Sequence, residues 1–269
     1  MTKHFKLALI AASISLLAVP AQAHRAWLLP SATVLSGTDA WVTVDAAISN
    51  DLFYFEHHAL QLDNLSIVGP DGKTVAPENA AKGRFRSTFD VKLAEPGTYK
   101  VMVINQGAFA RYKLDGQNKR WRGKADQIAT AIPANATDVR VSEIQSRIES
   151  FVTSGKPSTE TLKPTGTGLE MIPVTHPNNL VAGEKATFRL VLDGQPASGV
   201  NVDIVPGGIR YRDKLDDSKV TTDESGTFSV TWPGPGFYWM SASVQDDKSK
   251  IKNAQRRSTY TATLEVLPQ

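Results

Sequence analysis

The sequence predicts an all-β protein that consists of two small β-sandwich domains joined by a segment with a short helix. Between residues 27 and 103, short runs rich in Val, Ile, Thr and aromatic residues are separated by Gly, Pro, Asp and Asn. This pattern is typical of strands connected by tight turns. The same pattern returns between residues 169 and 267, after a more polar stretch. Each half is long enough to bury a core of its own.

The first 23 residues have the order of a cleavable secretory signal. Two Lys residues precede an apolar run at residues 7–19, and an Ala-Gln-Ala triplet follows at residues 21–23, which matches the charged, apolar and cleavage-site regions of such signals. A membrane anchor would need about 20 apolar residues, and this run is shorter. We therefore expect cleavage before His24 and a periplasmic location in a Gram-negative-type envelope.

Composition narrows the function classes. The chain of 269 residues has no Cys, which excludes disulfides, thiolate metal sites and a Cys nucleophile, so any metal must be held by nitrogen and oxygen. Lys and Arg number 30 against 27 Asp and Glu, and two of the 30 lie in residues 1–23, which leaves 28 against 27 after cleavage. This balance gives no support for nucleic-acid binding. No later stretch is apolar enough to predict a membrane span.

We expect an N-terminal sandwich at residues 24–109, a connecting segment at 110–165 and a C-terminal sandwich at 166–269. In the connecting segment, Thr137 or Asp138 can cap a short helix that runs to about Val152, with apolar residues on one face. Two stretches rich in Gly, Pro and Ser, at residues 154–157 and 164–168, would end the helix and form a linker.

An internal repeat supports two related sandwiches. Aligning Thr88 with Thr227 also aligns the Pro-Gly at residues 96–97 with that at 235–236, and Tyr99 with Tyr238. Turn chemistry alone can produce a similar Pro-Gly connection, but the shared Tyr predicts one structural device used twice.

Residues 193–200, 222–228 and 235–238 resemble the transthyretin-like and carboxypeptidase-regulatory-like sandwiches, which implies an Ig-like or transthyretin-like fold with a structural or adhesive role. Over the whole chain, four motifs resemble domain of unknown function family 4198. These are His-Arg-Ala-Trp-Leu-Leu-Pro at 24–30, Leu-Glu-Met-Ile-Pro at 169–173, Thr-Trp-Pro-Gly-Pro-Gly at 231–236 and Arg-Arg at 256–257. This resemblance implies a periplasmic component of a nickel or cobalt uptake system.

Cleavage would make His24 the first residue, so that one residue supplies an amine and an imidazole as a chelate. Both groups lose their protons near neutral pH, and nitrogen ligands suit copper, nickel and cobalt. His57 and His58 are the further candidate ligands, with Glu56 or Asp51 as an oxygen ligand or an orienting partner. In an extended strand the adjacent histidines would point to opposite faces, whereas in a loop both could converge on His24. The alternatives to metal binding are that His24 is simply exposed to solvent and that residues 51–58 form an aromatic surface loop with incidental polar residues.

The sequence favours a metal-binding or accessory protein that delivers nickel, cobalt or copper to an envelope transporter or outer-membrane receptor. The alternative is a non-catalytic interaction or structural module, and a copper oxidase with a histidine brace is less favoured. We expect no enzyme, because no paired acid and base occur in a recognisable motif. His176, next to Pro177, is expected to be exposed with a structural or interdomain role. Residues 119–124 form a basic loop that could dock an anion, although such loops are usually only solvated.

Overall fold

The computed structural model describes residues 24–269, so the predicted signal at residues 1–23 lies outside the described residues. The first half contains, in chain order, β1 (Arg25–Pro30), β2 (Val34–Leu35), β3 (Ala40–Ser49), β4 (His58–Ala59), β5 (Leu65–Val68), β6 (Glu78–Lys82), β7 (Ser87–Leu93), β8 (Gly97–Leu114), β9 (Gln117–Gly123), α1 (Ile128–Ala131) and β10 (Thr137–Ser154). The second half contains β11 (Leu169–Pro173), β12 (Lys185–Leu192), β13 (Gln195–Pro196), β14 (Asn201–Pro206), β15 (Ser218–Thr221), β16 (Thr227–Thr231), β17 (Gly236–Asp246) and β18 (Gln255–Val266).

These strands form three sheets across residues 24–269. The N-terminal sheet has the order β1-β3-β7-β6, with β4 also paired to β3, and the C-terminal sheet has the order β11-β12-β13, with β16 paired to β12. The central sheet has the order β15-β14-β17-β18-β10-β8-β5, with β2 added on β10 and β9 on β8. Strands β10 and β18 pair in parallel, so one continuous sheet serves both halves of the chain.

Two buried apolar clusters lie on opposite faces of the central sheet. The N-terminal cluster includes Phe89 and Val101, and the C-terminal cluster includes Phe188, Trp232 and Tyr260. Along β3, buried and more exposed residues alternate over most of the strand, as expected where only one face meets a core. The all-β sandwich prediction is confirmed.

The predicted helix from Thr137 to about Val152 is wrong, because this segment is the 18-residue strand β10. Neighbouring residues on it enter different cores, with Phe151 in the C-terminal cluster and Val152 in the N-terminal cluster. That arrangement requires the two-residue period of a strand, since a helix would place both side chains on nearby faces. The connecting segment does contain a short helix, but at Ile128–Ala131.

The buried polar face of β10 explains why its pattern resembles a helix. Arg147 is 5% exposed and contacts Glu149 at 3.1 Å and Glu170 at 3.2 Å between charged atoms. The Glu149 carboxylate also accepts a hydrogen bond from the Tyr260 hydroxyl at 2.9 Å. Charged residues on a strand are normally solvent-facing. Here Arg147 and Glu149 are paired with each other and with Glu170 and Tyr260 from later in the chain, and within residues 24–269 the Arg147 Nε atom is left without a hydrogen-bond partner.

The predicted repeat takes the form of two tyrosine corners. The Tyr99 hydroxyl donates to the Glu95 carbonyl at 2.9 Å, and the Tyr238 hydroxyl donates to the Gly234 carbonyl at 2.8 Å. Burial raises the pKa of both phenols. At each corner the chain passes from an outer sheet to the central sheet, from β7 to β8 and from β16 to β17.

The expected basic loop at residues 119–124 is largely strand, because β9 extends to Gly123. Asp115 and Gly116 form the turn before it, with φ values of 51° and 75°. Such a two-residue Asp-Gly turn matches the twist of a hairpin. The basic side chains of β9 therefore occupy fixed positions in the central sheet.

Candidate functional site: a histidine cluster beside a polar cleft

Strand pairing brings His24 close to His57 and His58. Strand β1 pairs with β3 through Arg25 and Ser49, and β4 pairs with β3 through His58 and Ile48. The segment that precedes β1 and the segment that precedes β4 therefore flank the same end of β3. Residues 50–57 form a loop, which is the conformation in which both His57 and His58 were expected to be able to converge on His24.

The three imidazole rings lie against each other at the surface. The ring centroids of His24 and His57 are 3.7 Å apart, and their planes differ by 14°. The centroid of His58 is 4.2 Å from that of His57 and 6.4 Å from that of His24. All three side chains are exposed, so solutes can reach the cluster, defined here as His24, His57 and His58.

Glu56 shapes the loop that carries two of these histidines. Its Oε1 atom accepts hydrogen bonds from the backbone amides of Asn50 at 2.7 Å and of Asp51 at 3.0 Å. The Asp51 carbonyl in turn accepts the Ser49 hydroxyl at 2.7 Å. These bonds close the loop on itself and fix where β4 begins. The structure thus gives this carboxylate a local role in ordering the loop.

Aromatic packing holds the same loop against the second sandwich. Phe53 has a φ of 62°, a conformation that is strained for a bulky residue and must be held by its surroundings. Its ring meets Trp27 edge-on at 5.5 Å and Phe237 at 6.1 Å between centroids. In the sequence, the aromatic content of residues 53–55 is the signal for this clamp, and it does not indicate which partners the rings contact.

The surroundings of His58 favour the neutral form of its imidazole. Burial lowers the pKa of His58, and the nearby His57 and His24 lower it further. A neutral ring keeps a lone pair for a metal or a hydrogen-bond donor. At His58 the environment thus favours the protonation state in which imidazole binds metal.

The rings of His24 and His57 are stacked, and the ring of His58 is tilted relative to both. Within residues 24–269, no group of three or more His, Cys, Asp or Glu side chains is arranged to hold a metal ion. The lone pairs of stacked rings lie in nearly parallel planes, so shared coordination requires rotation of these exposed side chains. The donor chemistry fits a nitrogen-preferring metal, whereas the present ring orientations do not complete a site.

A polar cleft of about 420 Å³ opens beside the cluster, with His24 on its rim. The outer face of the central sheet forms its floor, which includes Trp239 and Arg257. Arg25 lies with its guanidinium carbon 5.6 Å from the centroid of the Trp239 ring, and the Trp239 indole donates to the Ala26 carbonyl at 3.0 Å. The cleft therefore joins the histidine cluster to the second sandwich.

A family model described as "Domain of unknown function (DUF4198)" matches residues 21–246. The chain belongs to this family. The match agrees with the resemblance seen in the sequence, and the family description assigns no function. Comparison with functionally curated proteins finds no match.

Solved structures that match most of this DUF4198 protein do so with low sequence identity and low TM-scores. The D0-D1 domain of intimin has 14% identity and a TM-score of 0.23, covering 89% of this chain and 97% of that chain. The D00-D0 domain of intimin has 10% identity and a TM-score of 0.22, covering 90% and 100%. A marsupial T cell receptor has 9% identity and a TM-score of 0.21, covering 91% and 74%. At these scores none of them carries an argument about this chain.

His176 lies away from the cluster and links the two halves of the chain. Its Nε2 atom is 3.0 Å from the Thr98 hydroxyl and 3.2 Å from the Ser158 carbonyl oxygen, and its Nδ1 accepts the Asn178 amide at 3.2 Å. Burial lowers its pKa. The side chain is half-buried, so the expectation of an exposed ring is wrong.

The helices of the described region are all short. None of those between residues 24 and 269 is long and apolar enough to cross a membrane.

Proposed function

We propose that this protein is a periplasmic, non-enzymatic metal-binding or accessory protein for metal uptake. It captures a divalent transition metal, nickel or cobalt and also copper, at His24, His57 and His58, and delivers the ion to an envelope transporter. The observation that carries this proposal is the contact of three exposed imidazoles from two separate chain segments at one end of β3.

Signal cleavage before His24 completes the donor set. The new α-amine and the imidazole of His24 form a chelate, and rotation of His57 or His58 adds a further nitrogen. Nitrogen donors favour copper over nickel and nickel over cobalt in intrinsic affinity, so the supply of metal decides which ion is carried. Glu56 holds the loop in place through the amides of Asn50 and Asp51.

Clamping of the loop supports a binding role. The strained backbone at Phe53 and its packing on Trp27 and Phe237 fix the start of β4 relative to β1. A site whose backbone is already positioned loses less entropy on binding than a mobile loop does. The exposed imidazoles then need only side-chain rotation to coordinate an ion.

The test is a calorimetric titration of nickel, cobalt and copper into protein that begins at His24, compared with the same protein acetylated on the His24 α-amine. Acetylation removes the amine donor and keeps every side chain, so it is a matched control. We expect micromolar or tighter binding to the first form and at least tenfold weaker binding to the second, a difference of about 1.4 kcal/mol. Replacement of both His57 and His58 by Ala should also weaken binding.

Equal binding by the two forms would contradict the role of the terminal amine. Absence of binding in both would refute metal capture and favour a non-catalytic interaction module. Copper-dependent reduction of oxygen with an added reductant would instead show an enzyme.

A further inference from the structure

A row of arginines crosses the open face of the central sheet, away from the histidine cluster. Arg140 on β10 is directly opposite Arg111 on β8, and Arg111 is directly opposite Arg120 on β9. Residues that are opposite each other in an antiparallel pair point to the same face. All three side chains are exposed, so the register places three positive charges side by side.

The next positions along the same face enclose a pocket of about 250 Å³. Its lining combines the guanidinium groups of Arg111, Arg140 and Arg257 with the amide side chains of Gln245 and Gln255. Phe109 and Ile144 add apolar surface, and no carboxylate is among its lining residues in the described part of the chain.

The nearby acidic groups do not neutralise this face. Arg256, at the edge of the pocket, contacts Asp193 and Asp246, which raises the pKa of its guanidinium. Asp138 lies near Arg140, but the Lys113 ammonium holds its carboxylate at 2.7 Å.

Between residues 24 and 269, no carboxylate oxygen lies within 4.0 Å of a guanidinium nitrogen of Arg111, Arg140 or Arg257. Like charges that are directly opposite on neighbouring strands destabilise a sheet. The sheet therefore carries an electrostatic cost that a bound anion would remove.

We propose that this pocket binds a small organic molecule with two or more anionic groups. Guanidinium forks match the planar oxygens of carboxylates and the oxygens of phosphates. The ring of Phe109, which already lies 5.4 Å from the guanidinium carbon of Arg111, and the side chain of Ile144 would contact the carbon skeleton. Arg257 lines both this pocket and the cleft at His24, whereas Arg111 and Arg140 line only this pocket, so substitutions at Arg111 and Arg140 separate it from the proposed metal site.

Citrate, as an organic tricarboxylate, and inorganic phosphate are the probes, titrated into metal-free protein at low ionic strength. We expect citrate to bind at submillimolar concentration and more tightly than phosphate. The double variant R111Q and R140Q should bind citrate at least tenfold more weakly. The matched control is the double variant K82Q and R84Q, which loses the same charge from the exposed end of β6 and the turn that follows it, and which should bind as the parent does.

Failure of citrate to bind, or an equal loss in the two double variants, would overturn the proposal, since net charge alone would then explain any affinity. Phosphate binding as tight as citrate binding would overturn the assignment to an organic ligand. Nickel titration of the R111Q and R140Q variant separates the two sites, because its affinity for nickel should equal that of the parent.

Discussion

Replacement of Gly207 by Ala should disturb the clamp that positions the histidine loop. A Cβ atom at residue 207 would lie 2.9 Å from Cδ2 of Phe53 and 3.0 Å from the Phe237 carbonyl oxygen. The carbonyl cannot retreat easily, because it already accepts the Gly207 amide at 2.7 Å. The Phe53 ring must therefore move, and its backbone is strained at a φ of 62°.

Overpacking of this kind costs about 1–3 kcal/mol. For a chain of this size, 2 kcal/mol corresponds to a fall in Tm of about 4–8 °C. The control is Gly234→Ala, since a Cβ there meets no atom within 4 Å, and a compatible Gly→Ala change is neutral or stabilising by up to about 1 kcal/mol. Denaturant and thermal unfolding followed by Trp fluorescence measure both variants.

Gly207→Ala should also weaken nickel binding, because movement of Phe53 shifts the segment that carries His57 and His58. Equal stability of the Gly207 and Gly234 variants would refute the packing argument. A loss of stability with unchanged nickel affinity would show that the clamp does not position the histidines.

Three further predictions concern the framework. Tyr99→Phe should lower the free energy of unfolding by about 1–2 kcal/mol, and by more than Tyr238→Phe does. The reason is that the Tyr99 hydroxyl both donates and accepts a backbone hydrogen bond, whereas that of Tyr238 only donates. Urea unfolding of the two variants measures this order, and the reverse order would contradict it. Burial lowers the pKa of His176 below its ordinary 6.5, so the unfolded chain takes up this proton at higher pH than the folded chain, and the stability contribution is complete above about pH 6.5 and lost as the pH falls through the folded pKa. His176→Asn should flatten the pH dependence of the denaturation midpoint as the pH falls below about 6.5, and an unchanged slope would exclude this role. Glu170→Ala removes a partner of buried Arg147 and the acceptor of three backbone amides, so about 3–5 kcal/mol of stability should be lost, and a loss below 1 kcal/mol on denaturant unfolding would disprove its importance.

The fold class could be predicted because its signals are local. Alternation along β3 and the Pro-Gly connections before Tyr99 and Tyr238 depend on residues within a few positions of one another. The sequence predicts a helix in place of strand β10 because its apolar residues recur at helical spacing after a possible cap at Thr137 or Asp138. The polar residues between them, Arg147 and Glu149, are buried against Glu170 and Tyr260, which are remote in the chain.

For the candidate site, too, the sequence indicated the chemistry and only the fold showed the contacts. The residue types at His24, His57 and His58 indicated imidazole chemistry, and the loop alternative allowed their convergence. Their contact, however, depends on the pairing of β1 and β4 with the same end of β3. The local signals also did not predict the hydrogen bonds of Glu56 to the Asn50 and Asp51 amides.

The sequence by itself determined the strand-rich sandwich class, the repeated tyrosine corner and the nitrogen and oxygen chemistry open to a chain without Cys. Only the tertiary structure decided that β10 and β18 join both halves in one sheet, that three imidazoles meet, and that Arg111, Arg120 and Arg140 lie side by side. The physical reason is that polarity patterns and turn preferences act over a few residues, whereas strand register is set by hydrogen bonds and packing between segments far apart in the chain.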